Sequence, residues 1–323
     1  MWLRSTALAA PLFAAALGAT GLAACGQAND GRQVNIAVSG DEVTVSGSKI
    51  TTPTTAAQAV ADAQVASAPA SADVSVNDQP APPHPAPPEP NATAPDVAAP
   101  GHISLNRLTG NVDPAKDTAF AKIPEKYIAG QRTWGHKDAV EAFGRMAEAA
   151  AVNGYQLKVV SAFRSFDDQK KIWEDKWTGA TLVEKGKLPK TIPDPNKRAK
   201  KILEYSSMPG TSRHHWGTDF DLNSLDNKYF NTKDGKRIYD WLVQHAEEFG
   251  FCQPYTAKGE GGRPSGYEEE KWHWSYKPVA SWYLKQYPDD VGYERLKGFL
   301  GSETAKGIDV IPNYVQGINP ECK

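Results

Sequence analysis

Two segments of the chain carry apolar residues at the three-to-four-residue spacing of an amphipathic helix. The first runs from Asp138 to Asn153 and ends before Gly154, a residue type that commonly follows a helix. Its apolar positions are Val140, Phe143, Ala147 and Ala150. The second runs from Lys236 to Phe249 and ends before Gly250. Its core-facing positions are Ile238, Trp241, Leu242, His245 and Phe249. The pattern therefore predicts two helices that each bury one face.

Shorter apolar runs between these helices predict strands. The stretch "YQLKVVSAF" is rich in β-branched residues and predicts a strand, while "RSFDDQKKIWEDKW" directly after it has helical character. A further strand is predicted at "FGFCQPY", and a mostly irregular tail ends the chain. The mixed order indicates one α+β domain over residues 103–323, with a small, mostly antiparallel sheet flanked by helices.

The first residues have the pattern of an export signal. "MWLRSTALAAPLFAAALGATGLAAC" contains one arginine, an apolar run interrupted by Pro11 and Gly18, and small residues before Cys25. A membrane-spanning helix is the weaker interpretation of this run. The end of the run, Leu22-Ala23-Ala24-Cys25, resembles the bacterial lipobox. The resemblance implies a signal peptide over residues 1–24, lipidation of Cys25, and an exported lipoprotein held on a membrane by its acyl chains, facing the periplasm or cell wall.

Residues 25–102 separate this predicted anchor from the folded domain. Alanine, proline, serine and threonine dominate residues 51–100, which include "PAPPHPAPPEP", so this part cannot bury a core and is predicted to be a disordered, flexible linker. Before it, the alternation in "VNIAVSGDEVTVSG" predicts a short hairpin, which would be marginal in water if it stood alone.

Charge and cysteine content narrow the function classes. The 323 residues hold 36 basic and 38 acidic side chains without a polybasic block, which argues against a nucleic-acid partner, and we expect a monomer. Three cysteines leave one unpaired. If Cys25 is lipidated, Cys252 and Cys322 can form a disulfide in an exported protein, the alternative being two free thiols.

The candidate chemistry lies in two polar stretches. "SRHHWGTDFDL" supplies His214 and Asp221, two residues of the types that bind zinc, and "GYEEEKWHWSY" supplies Glu270 three residues before His273. A catalytic zinc needs about three protein ligands and an open position for water. One downstream histidine is thus a ligand candidate and one carboxylate a base candidate.

These motifs resemble those of the zinc D-alanyl-D-alanine carboxypeptidases of the VanX and VanY type. The resemblance rests on Ser212-x-His214-x-x-Gly217 through Asp221, then Glu270-x-Trp272-His273, and on the upstream "SAFRSFDDQ". It implies one Zn²⁺ per chain. The implied ligands are His214, Asp221 and His273; Glu270 and Arg164 are the implied catalytic residues, and Gln169 and Ser212 the implied substrate-binding residues.

The residue types suit amide hydrolysis. A carboxylate such as Glu270 can take a proton from the attacking water and return it to the departing amine, and a guanidinium such as Arg164 can stabilise the developing oxyanion. Arg164 could instead pair with Asp167 or Asp168 at a helix start.

One position departs from the family pattern. Asp219 stands where the family commonly has alanine, and on a strand it faces the same side as Asp221. Asp219 could compete for the metal, orient a ligand histidine, or be a solvated acid.

The resemblance implies a peptidase that removes the C-terminal D-alanine from peptidoglycan stem peptides. An L,D-carboxypeptidase or a peptidoglycan endopeptidase of the same family is the nearest alternative, because the metal ligands do not distinguish these activities. A non-catalytic cell-wall-binding lipoprotein is the alternative from another class, although it would not need Glu270 as a base.

Overall fold

The computed structural model describes residues 101–183, 189–259 and 262–323, together with the backbone of four strands between residues 23 and 49. Residues 1–22 of the predicted signal peptide and most of the predicted linker therefore lie outside the described residues, whereas the predicted cleavage site lies within the first described strand. Within the part described, no helix combines the length and apolarity needed to cross a membrane.

The four N-terminal strands belong to a unit of their own, residues 1–80. They are β1 (Ala23–Gln27), β2 (Gln33–Ser39), β3 (Glu42–Val45) and β4 (Ser48–Lys49). They pair in chain order, and β2 and β3 are antiparallel. The pair β2–β3 lies where the sequence predicts a hairpin, and the two outer strands were not predicted.

The second unit, residues 81–323, is an α+β domain, as predicted. Its strands are β5 (Phe120–Lys122), β6 (Trp134–His136), β7 (Val159–Ser161), β8 (Asp219–Leu222), β9 (Phe251–Cys252) and β10 (His273–Tyr276). Its α-helices are α1 (Leu105–Thr109), α2 (Lys137–Val152), α3 (Phe166–Thr178), α4 (Pro195–Ile202), α5 (Lys233–His245), α6 (Lys277–Asp290) and α7 (Thr304–Gly307). Short 3-10 segments and one π-helical segment, Ile311–Val315, complete it.

A four-stranded antiparallel sheet in the order β7-β8-β10-β9 forms the centre of the domain. Strand β10 pairs with β8 so that His273 lies opposite Asp221 and Ser275 opposite Asp219. All four residues of β8 and all four of β10 are buried. In both strands polar and apolar residues alternate although both faces are buried, and the polar face pairs Asp219 with Ser275 and Asp221 with His273.

The helices that cover this sheet begin and end where their sequences indicate. Helix α3 starts with a capping box, in which the Ser165 hydroxyl accepts from the Asp168 amide and the Asp168 carboxylate accepts from the Ser165 amide. Helix α2 buries Val140, Phe143 and Met146 against the core, and Phe143 packs edge-on against Phe220 of β8. The buried face of α2 thus supports the strand that carries Asp221.

A disulfide between Cys252 and Cys322 confirms the predicted pairing. It joins the end of β9 to the 3-10 segment Pro320–Cys322, seventy residues later in the chain. Asn319 adds two hydrogen bonds beside it, to the carbonyls of Gln253 and Pro254. The C-terminal residues are therefore fixed to the segment that follows β9, and they contain short helical segments between irregular stretches.

Candidate metal centre and cleft

Two neighbouring strands and one short helical turn bring the three proposed ligands together. His214 lies in the 3-10 segment Arg213–Trp216, which ends at Gly217 in the left-handed conformation and leads directly into β8. Asp221 lies on β8, and His273 is the first residue of β10, directly opposite Asp221. The ligand atoms of the three residues all lie within 4.8 Å of one another.

Hydrogen bonds on the outer side of each ring set the histidine tautomers. His214 Nδ1 is 2.9 Å from the Ala162 carbonyl oxygen, and His273 Nε2 is 2.9 Å from Asp219 Oδ1. Both partners only accept, so these two ring nitrogens carry the protons. The other nitrogen of each ring then presents a lone pair toward Asp221.

Those lone pairs face carboxylate oxygens at close range. His214 Nε2 is 3.2 Å from Asp221 Oδ2, and His273 Nδ1 is 3.1 Å from Asp221 Oδ1. Asp221 Oδ1 is buried and has no hydrogen-bond donor among the described residues. Two acceptors turned toward each other need a positive charge between them, either a proton or a metal ion, and two imidazoles with one carboxylate form a donor set that suits zinc. The residues therefore fit a metal ion.

The charges in the site act strongly on its titratable groups. Burial would raise the pKa of Asp221, but the two histidines hold that pKa well below its usual range. Burial would lower the pKa of His273, but its contacts with Asp219, Asp221 and Glu270 hold it well above the usual value. The site favours positive charge between its carboxylates, which a divalent cation would supply.

Asp219 is fully buried and supports His273 from behind. Besides the His273 ring, it accepts hydrogen bonds from Arg213 Nε at 2.9 Å and from the Thr218 and Ser275 hydroxyls at 2.6 and 3.1 Å. Asp219 is therefore not the solvated acid that the sequence left open. The geometry matches its alternative role of orienting a ligand histidine, which metal sites commonly require.

Glu270 lies at the edge of the three-residue group rather than within it. Its Oε2 atom is 3.4 Å from His273 Nδ1, and its side chain lines the cleft. Burial raises the pKa of Glu270, opposed by its contact with His273. A carboxylate with a raised pKa beside a metal centre is well placed to accept a proton from water.

Arg164 extends into the same cleft from the loop between β7 and α3. Its guanidinium donates to Gln169 Oε1 at 2.7 Å and to the Ser161 hydroxyl at 3.1 Å, and it lies 3.8 Å from Asp221 Oδ2. Among the described residues, neither Asp167 nor Asp168 forms an ion pair with it; Asp168 pairs with Arg132 instead. The surface ion pair considered for Arg164 is therefore absent, and the guanidinium faces the proposed metal.

Two of the implied substrate-binding residues have other surroundings. Gln169 is fully buried. It accepts a hydrogen bond from Arg164 and donates one to the Ser207 carbonyl, and so it holds the guanidinium in place. Ser212 is buried beside His214, and its hydroxyl has no hydrogen-bond partner among the described residues. Neither residue is among those that line the cleft. These positions favour a structural role for Gln169, while the role implied for Ser212 stays a prediction.

His215 serves the backbone of the site. Its Nδ1 donates to the Arg164 carbonyl at 2.7 Å, and its Nε2 accepts from the Gly210 amide at 3.0 Å. Burial lowers the pKa of His215 to about 3, so the ring stays neutral. Because Gly110 has a positive φ and packs against this ring, a side chain there would be strained and would collide with it.

The cleft itself has a volume of about 320 Å³ and a mixed lining. His214, Asp221, Glu270 and Arg164 occupy one part of it. The remaining walls include Tyr205, Trp272, Tyr255, Leu225, Lys176 and Lys201. Apart from Trp272, which belongs to the Glu270-x-Trp272-His273 motif, these wall residues were not predicted, because they come from four separate segments that carry no local signal.

The comparisons with known proteins agree with the motifs. Residues 132–279 match the family model described as VanY: D-alanyl-D-alanine carboxypeptidase. The Bacillus subtilis (strain 168) protein YodJ, which is named as a carboxypeptidase, is 31% identical to this chain over 182 residues. The matched residues are 52% of this chain and 56% of YodJ, so the chain spans about half the length of this curated relative. Residues 132–279 are therefore similar to VanY-type carboxypeptidases, which agrees with the predicted peptidase.

Solved structures of lower similarity were also found. The structure of the LdcB LD-carboxypeptidase, which was solved to explain peptidoglycan recognition, has 23% identity and a TM-score of 0.40. The match covers 58% of this chain and 81% of the LdcB chain. A mutant of the D,D-pentapeptidase VanY in complex with Zn(II) has 21% identity and a TM-score of 0.36. The match covers 57% of this chain and 93% of the VanY chain.

Proposed function

We propose that this protein is a zinc-dependent D-alanyl-D-alanine carboxypeptidase that removes the C-terminal D-alanine from peptidoglycan stem peptides. The observation that carries the proposal is the arrangement of two histidine lone pairs around Asp221, with Glu270 beside them and outside the ligand group. The match of residues 132–279 to the VanY family supports the choice of substrate.

In this proposal His214, Asp221 and His273 hold the metal. A zinc ion there would polarise the scissile carbonyl and lower the pKa of a bound water toward about 7. Glu270 accepts the proton of the attacking water and passes it to the departing amine, since its buried carboxylate reaches the same space. Arg164 donates hydrogen bonds to the carbonyl oxygen as negative charge develops on it.

The rigidity of these groups supports catalysis over simple binding. Arg164 is held by Gln169 and Ser161, and His273 is held by Asp219. Groups that are fixed before the reaction need no reorganisation when charge develops, which is the basis of electrostatic catalysis. A cell-wall-binding protein would have no need for a fixed guanidinium and a carboxylate of raised pKa in one cleft.

The test is mass spectrometry of stem peptides digested by the purified protein, before and after removal of zinc with a chelator. Loss of one alanine from a pentapeptide, abolished by the chelator and restored by zinc, is the expected result. Cleavage of only the tetrapeptide would indicate an L,D-carboxypeptidase, and cleavage inside the stem would indicate an endopeptidase. Zinc binding without any cleavage would indicate the non-catalytic protein.

We also propose that the protein acts outside the cytoplasm as a lipoprotein anchored through Cys25, with residues 25–102 as its tether. The lipobox-like sequence before Cys25 supports this proposal, and a disulfide between Cys252 and Cys322 suits an oxidising compartment. Metabolic labelling with a fatty-acid analogue tests it. Wild-type protein should incorporate the label and Cys25→Ala should not, whereas equal labelling of both would place the acyl chains elsewhere.

A further inference from the structure

The cleft contains a lysine that neither the metal centre nor the proposed reaction uses. Lys176 lies in the last turn of α3, and its side chain lines the same cleft as His214, Asp221 and Glu270. The ammonium group donates a hydrogen bond to the Ser206 hydroxyl. Most of the side chain is withdrawn from water, and burial followed by the charge of Arg164 lowers its pKa, while Glu270 opposes this.

The positive charge of Lys176 forms no ion pair with the part of the chain that the structure describes. Among the described residues, the other cleft lysine, Lys201, pairs with Glu204, whereas no carboxylate lies within ion-pair distance of Lys176. Arg164 already faces Asp221 at 3.8 Å. A partly desolvated ammonium without a counter-ion is unfavourable, and an anion that enters the cleft would relieve that cost.

We propose that Lys176 binds the free carboxylate at the C-terminal end of the peptide substrate. The inference rests on the proposed function, which places the last peptide bond beside Glu270. A residue spans only about 3.5 Å, so the terminal carboxylate lies close to the scissile carbonyl and within the same small cleft. Among the other described cations that line the cleft, Arg164 is assigned to the oxyanion and Lys201 pairs with Glu204, which leaves Lys176 for this end group.

This role would make Lys176 a determinant of where the chain is cut. A peptide that continues beyond the scissile bond has no carboxylate at this position, so it would leave the ammonium unpaired on binding. Hydrogen bonds to charged groups discriminate by roughly 10- to 100-fold, and a site that contains such a group rejects a substrate without its partner. Lys176 would thereby favour removal of a terminal residue over cleavage inside the stem.

The experiment compares two pentapeptides that differ only at the end, one with a free carboxylate and one with a carboxamide. Wild-type protein should cleave the acid with a kcat/KM about 10- to 100-fold above that of the amide. Lys176→Met should lose that preference, mainly through the acid, with its zinc content unchanged, and Lys176→Arg should retain part of it. Lys171→Met is the matched control, because Lys171 lies on the same helix but is exposed and paired with Asp175.

Binding separates this proposal from the proposed function. Affinities of the two pentapeptides are measured on zinc-loaded Glu270→Gln protein with and without Lys176→Met. If wild-type protein cleaves neither peptide but binding prefers the acid through Lys176, the proposed activity fails and the carboxylate site stands. Equal losses for acid and amide in Lys176→Met, or no loss at all, would overturn the role of Lys176 while leaving the peptidase activity intact.

A third peptide identifies which carboxylate is bound, because a stem peptide can also carry one on the side chain of its third residue. Replacing a diamino diacid at that position by lysine removes the side-chain carboxylate and keeps the free end. The effect of Lys176→Met on this peptide should equal its effect on the parent. Loss of that effect would assign Lys176 to the internal carboxylate and overturn the proposal.

Discussion

Asp219 gives the most discriminating view of how this site is built. The Asp219→Ala substitution removes one buried carboxylate that accepts hydrogen bonds from Arg213, His273, Thr218 and Ser275. His273 then loses the acceptor that fixes its tautomer, while the three proposed ligands stay in place. We expect zinc affinity to fall by about 10- to 100-fold, the range measured when a carboxylate behind a ligand histidine is removed.

The same substitution has a separate effect on folding. Arg213 is 1% exposed and pairs with Asp219, so removing the carboxylate leaves a buried guanidinium without its ion-pair partner. Breaking a buried pair in this way costs about 3 to 5 kcal/mol. The double variant Arg213→Met/Asp219→Ala removes both charges. It should therefore recover much of the free energy of unfolding without recovering the zinc affinity.

The assay measures zinc affinity by competition with a chromogenic chelator and stability by urea unfolding of the zinc-free proteins. Asp221→Ala is the reference for loss of a ligand and should bind no stoichiometric zinc. An Asp219→Ala protein that binds zinc as tightly as the wild type would refute the orienting role. Zinc lost in Asp219→Ala but retained in Asp221→Ala would show that Asp219 is the ligand.

Three further predictions concern other parts of the domain. The Arg164→Ala protein should fold and bind zinc, but its kcat should fall by about 10² to 10³-fold; an unchanged kcat would contradict the role of Arg164. The kcat of Gln169→Leu should fall less, because Gln169 only holds the guanidinium. Cys322→Ser should lower the free energy of unfolding in urea by about 4 kcal/mol, the chain-entropy value for a loop of this length. Alkylation of two thiols in the unreduced wild-type protein would contradict the disulfide. Burial lowers the pKa of His136 to about 4, from 6.5 in the unfolded chain. The neutral ring therefore contributes stability above pH 6.5, and this contribution, about 3 kcal/mol, is lost as the pH falls toward 4. His136→Gln should lose correspondingly less stability between these pH values, and an unchanged pH dependence would refute the assignment.

The parts of the fold that were predictable from sequence are those with a local signal. Helix α2 follows the period of Val140, Phe143 and Ala147 and ends at the predicted residue to within one position. The β5–β6 ribbon was missed because strands of three residues are too short to show a period. Strand β10 was not predicted either, because it has only four residues and its polar positions have the residue types of a metal site.

The candidate site divides in a similar way. The grouping of His214, Asp221 and His273, with Glu270 beside them, was predictable because motif spacing is a property of the sequence. The role of Asp219 was left open among three alternatives, since it depends on contacts with His273 and Ser275, more than fifty positions further along the chain. Lys176 was missed too, because its place in the cleft follows from how α3 packs and not from any neighbour in sequence.

The central claim is that Glu270 moves a proton and does not hold the metal. Metal analysis and stem-peptide hydrolysis on the same preparation of Glu270→Ala test it most directly. We expect about one zinc per chain, a folded protein, and a turnover about 10² to 10⁴-fold below that of the wild type. Cleavage at the wild-type rate would contradict the assignment of the base, and a folded protein without zinc would make Glu270 a ligand.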